Sequence, residues 1–234
     1  MFLRGDVRPA QQTVTRTYTR EQVREGIRLP SRERPYFTPG FPLELPLRHA
    51  SRIASFDGPA TGGFTREDAT PLRTDTGELT WSVGAPATGL VTVDTERSQA
   101  VVGFVGASRP RLKNFSVETR TPFCAITLSA LDDQPVARAN RLLVTATARM
   151  ANSEMVWNAK RDSLEKRGSA PTRIEPVVAT LRLRRLEDAR VVMVAPLDGA
   201  GRTTAEPSSA ARTEDGWQVE LNAPVTSYLI TIRR

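Results

Sequence analysis

Two residue types that activate nucleophiles or bind soft metals occur once each, as His49 and Cys124. A single cysteine excludes an intramolecular disulfide, and a zinc site built on several His or Cys ligands is excluded with it. Cys124 sits in the apolar run Pro122-Phe123-Cys124-Ala125-Ile126, which predicts a buried, inert thiol. His49, in Leu47-Arg48-His49-Ala50, has no acidic neighbour in sequence and is expected to be structural. Glycoside hydrolysis requires two carboxyl groups facing one cleft, roughly 5 to 9 Å apart. On one strand that means acidic residues at i and i+2 or i+4, and no predicted strand has them. Glu187-Asp188, Glu214-Asp215 and Asp132-Asp133 fall in turn signals, so no catalytic residue is assigned. A phosphate-cradling glycine loop is also missing, since Gly58, Gly62 and Gly63 have no helix behind them.

Binding chemistry has more support. Carbohydrate recognition needs an aromatic platform for a ring face and polar groups for hydroxyls. Trp157, Asn158 and Arg161 supply those types within five residues, and Tyr36 adds a second aromatic in the N-terminal region. The competing reading of Trp157 is a cover over a sheet edge. Trp81 and Trp217 lie on the apolar phase of alternating strands, so both are expected in the core. Asp57, Asp68 and Asp75 share a loop-rich stretch, without the ligand alternation of a dedicated calcium loop. A structural calcium at Asp57 and Asp75 is the one cofactor the sequence suggests.

The net charge of +7 comes from thirty arginines and only three lysines, Lys113, Lys160 and Lys166. The arginines are scattered from Arg4 to Arg234 rather than gathered into a stripe with stacking aromatics, which argues against a nucleic-acid footprint. No run approaches the roughly 18 apolar residues of a spanning helix.

The elements that must position these residues are mostly strands. Thr13 to Tyr18 alternates, and Thr19 with Gln22 opens a capping box ahead of Val23 and Ile27, predicting one short helix. Pro30, Pro35, Pro39, Pro42 and Pro46 then forbid a continuous helix or central strand, predicting an extended strap anchored by Tyr36, Phe37 and Phe41. Beyond Ser51 the apolar period is two, with about nine or ten short strands separated by turn signals. Ala100 to Val105 and Leu142 to Ala148 are apolar on both faces and should be central; Arg182 and Arg184 should line the wet face of another strand. Met150 to Pro176 reads as a long insertion. The expected fold is all-β, an antiparallel β-sandwich of jelly-roll or Ig-like type over residues 49–234, preceded by the Pro-rich strap and its short helix in residues 1–48.

Several of these segments resemble a known family. Val93 to Phe104, Phe123 to Asp132, Arg141 to Arg149, Asn152-Ser153-Glu154-Met155-Val156-Trp157-Asn158 and Gly168 to Val177 together resemble the C-terminal β-domain of large bacterial proteins of the glycoside-hydrolase type. Phe2 to Pro9 looks like the segment leaving a catalytic barrel in such proteins, and Ser153-Glu154 stands where relatives carry Thr-Gly. The resemblance implies a non-catalytic module cut from a larger protein, with the barrel upstream of Met1 as a partner, acting either by binding polysaccharide or oligosaccharide or as a buttress to that barrel. An extracellular or periplasmic location follows if that parent is secreted. The alternatives are a stand-alone hydrolase whose carboxylates meet only on folding, and an arginine-dependent polyanion binder.

Overall fold

The computed structural model describes residues 1, 3–28, 44–59, 70–82, 84–85 and 88–234. The chain divides into two compact units, residues 2–83 and, Met1 apart, residues 84–234. Tyr36, Phe37, Phe41 and Asp68 lie outside the described residues.

In the first unit β1 (Thr13–Thr17) leads into α1 (Arg20–Arg28). The predicted capping box is present: the Thr19 amide donates to Gln22 Oε1 at 3.0 Å, and the Gln22 amide to Thr19 Oγ1 at 3.2 Å. After α2 (Leu45–Arg48), which carries Pro46 in its first turn, β2 (Ala50–Ser55) pairs with β1. This pairing is parallel, unlike the antiparallel pattern expected of the chain. β3 (Leu72–Arg73) and β4 (Leu79–Ser82) form an antiparallel hairpin. Tyr18 and Leu45 are fully buried, whereas Trp81 is half-buried.

The second unit is an antiparallel β-sandwich. Its strands are β5 (Leu90–Asp94), β6 (Ser98–Gly103), β7 (Phe115–Thr119), β8 (Cys124–Ala130), β9 (Arg141–Thr147), β10 (Met150–Ser153), β11 (Val156–Trp157), β12 (Leu164–Lys166), β13 (Ser169–Ile174), β14 (Ala179–Leu183), β15 (Val191–Leu197), β16 (Ser208–Ser209), β17 (Ala211–Thr213), β18 (Gly216–Leu221) and β19 (Ser227–Arg233), with a one-turn α3 (Val105–Ser108) after β6. Within this unit the larger sheet runs β16-β15-β19-β9-β8-β6-β5 and the smaller β17-β18-β14-β7. The chain crosses between these sheets at β6 to β7, β7 to β8, β9 to β14 by way of β10–β13, β14 to β15, β16 to β17 and β18 to β19. β6 and β9 are interior strands of the larger sheet, as their apolar character requires.

Period-two patterning builds the core. Ile126, Leu128, Leu142, Val144 and Ile230 from the larger sheet meet Phe115, Val117, Leu181, Leu183 and Leu221 from the smaller, all at most 1% exposed. Trp217 joins them as expected, and Cys124 is buried among them. Burial, reinforced by the nearby Glu175 charge, raises the Cys124 thiol to about 11, so it carries no thiolate near neutral pH.

A buried polar network closes one end of the sandwich. Gln99 Nε2 donates to Asp94 Oδ1 (2.8 Å) and Asn114 Oδ1 (3.1 Å), while the Asn114 amide donates back to Gln99 Oε1 (3.2 Å). The Arg184 amide donates to the Asn114 carbonyl at 2.7 Å, and Arg184 Nη2 to the Leu112 carbonyl at 3.1 Å. Arg184, expected on a wet face, is therefore buried: β14 ends at Leu183, and the outward alternation ends with it.

Phe115 is fully enclosed, so Phe115→Ala leaves a cavity that its neighbours cannot fill. A loss of about 3 to 5 kcal/mol in urea unfolding is expected.

Candidate functional site

Met150 to Pro176, expected as a long insertion between strands, is a two-tier β-hairpin arm. β10 pairs with β13, and further out β11 pairs with β12. Both ladders contain a register irregularity, at Asn152/Ser153 and Val156/Trp157, which breaks the two-residue alternation that would have revealed strands. Gly168 sits at φ 75°, where an added Cβ would lie 2.3 Å from the Ser153 carbonyl oxygen, so the chain closes on itself there only with glycine. Across from it, Glu154 has φ 58°, a left-handed conformation that favours glycine.

The arm presents its apolar side chains to solvent. Trp157 is 43% exposed and pairs across the ladder with Leu164, 38% exposed; at the base, Met150 pairs with Ile174, both exposed. The tip turn is held by Asn158, whose Nδ2 donates to Asp162 Oδ1 (2.6 Å) and whose Oδ1 accepts from the Asp162 and Ser163 amides (3.1 and 3.4 Å). Arg161 occupies the left-handed position of that turn, at φ 58°, and is exposed. The structure thus brings Trp157, Asn158 and Arg161 to one hairpin end, with the Asn158 amide engaged in holding the turn.

The acidic residues named as calcium ligands have other partners. Arg20 grips Asp57 bidentately, Nε to Oδ1 at 2.7 Å and Nη2 to Oδ2 at 2.5 Å. Asp75 accepts the Gln11 amide on Oδ1 (3.0 Å), and the Gln12 amide (2.9 Å) and His49 Nδ1 (3.0 Å) on Oδ2. No group of three or more His, Cys, Asp or Glu side chains suited to a metal occurs among the described residues. His49 does have an acidic partner, brought from 26 positions away by folding. The ionised carboxylate accepts only, so Nδ1 is the donor in this bond.

The described residues of the sandwich include an apolar cleft and a polar one. The apolar one, of about 780 Å³, opens near the arm's base, lined by Ile174, Pro176, Leu197, Pro224 and Val225 among others. The polar one, of about 450 Å³, crosses the outer face of the smaller sheet. There Thr180 of β14 lies opposite Glu118 of β7 on one side and Glu220 of β18 on the other. Thr180 Oγ1 donates to Glu220 Oε2 at 2.9 Å and Gln218 Nε2 to Glu220 Oε1 at 2.8 Å, which fixes that carboxylate. Arg109 and Arg120 stand at the same cleft. Reading carboxylate spacing along single strands missed this row, because its members lie on three strands far apart in sequence.

No family model, curated protein or solved structure matches this chain.

Burial alone would raise the Asp75 carboxyl, but the hydrogen bonds from His49, Gln12 and Gln11 outweigh it and the net shift is downward. A lowered folded-state pKa contributes stability that is present above the ordinary carboxylate range and is lost as pH falls through the folded value. Amide hydrogen exchange at Gln11 and Gln12 should therefore be slow at neutral pH, after correction for intrinsic rates, and lose protection once the pH drops below the carboxylate range. In Asp75→Asn that acid dependence should be absent.

Proposed function

We propose that this chain is a non-catalytic β-sandwich module of a carbohydrate-active protein, and that residues 84–234 bind glycan. The observation that carries this reading is the half-exposed indole of Trp157 at the end of a hydrogen-bonded hairpin arm. An indole face stacks on the apolar C–H face of a sugar ring, and with only two side-chain torsions it costs little entropy to fix. Asn158 clamps the turn that follows Trp157, and Arg161 in that turn supplies donors for sugar hydroxyls. The resemblance to glycoside-hydrolase C-terminal domains supports the same reading.

A hydrolase is the second reading, and one observation favours it. Glu118 and Glu220 flank one cleft on the two strands bordering β14, and two strand spacings place their backbones about 9 to 10 Å apart. Both side chains are exposed, however, without the apolar enclosure a glycosidase uses to keep its acid protonated. Hydrogen-bond acceptance suits them better than proton donation.

Pulldown with insoluble polysaccharides and calorimetry with soluble ones test the proposal. Binding to at least one glycan is expected, with Trp157→Ala weakening it about tenfold or more while the melting temperature stays put. If no glycan binds, the proposal fails, and support of a neighbouring catalytic barrel is the role that remains.

A further inference from the structure

We propose that the polar cleft over β7, β14 and β18 is a second saccharide site, one that reads hydroxyl groups rather than a ring face. This inference rests on the glycan-binding reading above and gives it a separate location and chemistry. The cleft's volume of about 450 Å³ falls in the range, roughly 300 to 1,000 Å³, of sites that hold small molecules.

Its floor follows from strand register. Val117, Leu181 and Val219 point into the core, so the alternate residues Glu118, Thr180 and Glu220 stand in one row on the opposite face. Its wall is built by close approach: an added Cβ on Gly106 of α3 would sit 3.3 Å from the Thr121 carbonyl and 3.4 Å from that of Thr119. That contact brings the end of α3, and Arg109 just after it, against the end of β7. On the far side Thr119 Oγ1 and the Arg120 amide both donate to the Val178 carbonyl, at 2.8 and 3.2 Å, which anchors the chain from which Arg120 projects.

The charges identify the ligand class. Two carboxylates and two guanidinium groups sum to zero, so the cleft has no net attraction for a metal ion or a polyanion. Carboxylates only accept hydrogen bonds and guanidinium groups only donate them. A cleft offering both suits a neutral ligand whose groups each donate and accept, and the hydroxyls of a sugar do so. Among the described residues no aromatic side chain lines the cleft, so recognition there is by hydrogen bonds and geometry. Glu220, already held by Thr180 and Gln218, needs no reorientation to accept from a hydroxyl pair.

Calorimetric titration of the full chain with neutral soluble oligosaccharides tests this, with an acidic uronate oligosaccharide and calcium chloride as comparison ligands. Trp157→Ala should remove one class of site and leave a weaker one. Glu220→Ala and Arg120→Gln should each weaken that residual binding about tenfold, and raising the salt should leave it nearly unchanged because the ligand is uncharged. If Trp157→Ala abolishes all binding, or Glu220→Ala and Arg120→Gln leave the residual site intact, the cleft is not a site and glycan binding by the arm stands. If only the uronate or calcium binds in a Glu220- or Arg120-dependent way, hydroxyl recognition is wrong. Absence of binding to any ligand overturns both readings.

Discussion

β14 is paired on both sides, with β7 through five residue pairs from Ala179–Thr119 to Leu183–Phe115, and with β18 through five more. Ala179, Leu181 and Leu183 thereby face the larger sheet, and Thr180 and Arg182 face outward. A slip of one residue would turn every one of these side chains to the opposite face, placing an arginine in the core and three apolar side chains in water. The same register that closes the core assembles the Glu118-Thr180-Glu220 row. Core and cleft are two faces of one pairing.

The polar network around Gln99 and Asn114 acts on that pairing from its end. Asn114 accepts from the Arg184 amide just beyond β14, and Asp94 accepts from the Lys113 amide and the Gln99 side chain. Burial raises the Asp94 carboxyl, and the bonds from Lys113 and Gln99 offset part of that shift. Each buried polar group has a named partner, which is the condition under which such a network specifies an arrangement rather than weakening the core. The Arg184 guanidinium is spent there, on structure rather than on an anionic partner.

Local signals in the sequence carried much of the fold. β6 and β9 fall within two residues of the apolar runs Ala100 to Val105 and Leu142 to Ala148, and α1 begins at its Thr19–Gln22 box, because strand patterning and helix capping are short-range properties. The hairpin arm was hidden for a physical reason: its strands are short, exposed on both faces and interrupted by irregularities, so burial imposes no period on them. His49–Asp75, Arg20–Asp57 and the Glu118–Glu220 row join residues distant in the chain, and no spacing rule reaches them. Trp157 could be singled out by type and by its lack of strand phase. Its exposure, and the use of Asn158 as a turn clamp, required the three-dimensional arrangement. Tyr36 lies outside the described residues.

Binding of neutral saccharide at the arm and the polar cleft, as proposed, is best tested by amide and indole chemical-shift mapping of the full chain with a soluble oligosaccharide. Saturable shifts are expected at the Trp157 indole N–H and the surrounding arm, with a second set at Glu118, Arg120, Thr180 and Glu220. Spectra unchanged across a panel of sugars, or shifts confined to other surfaces, would contradict it.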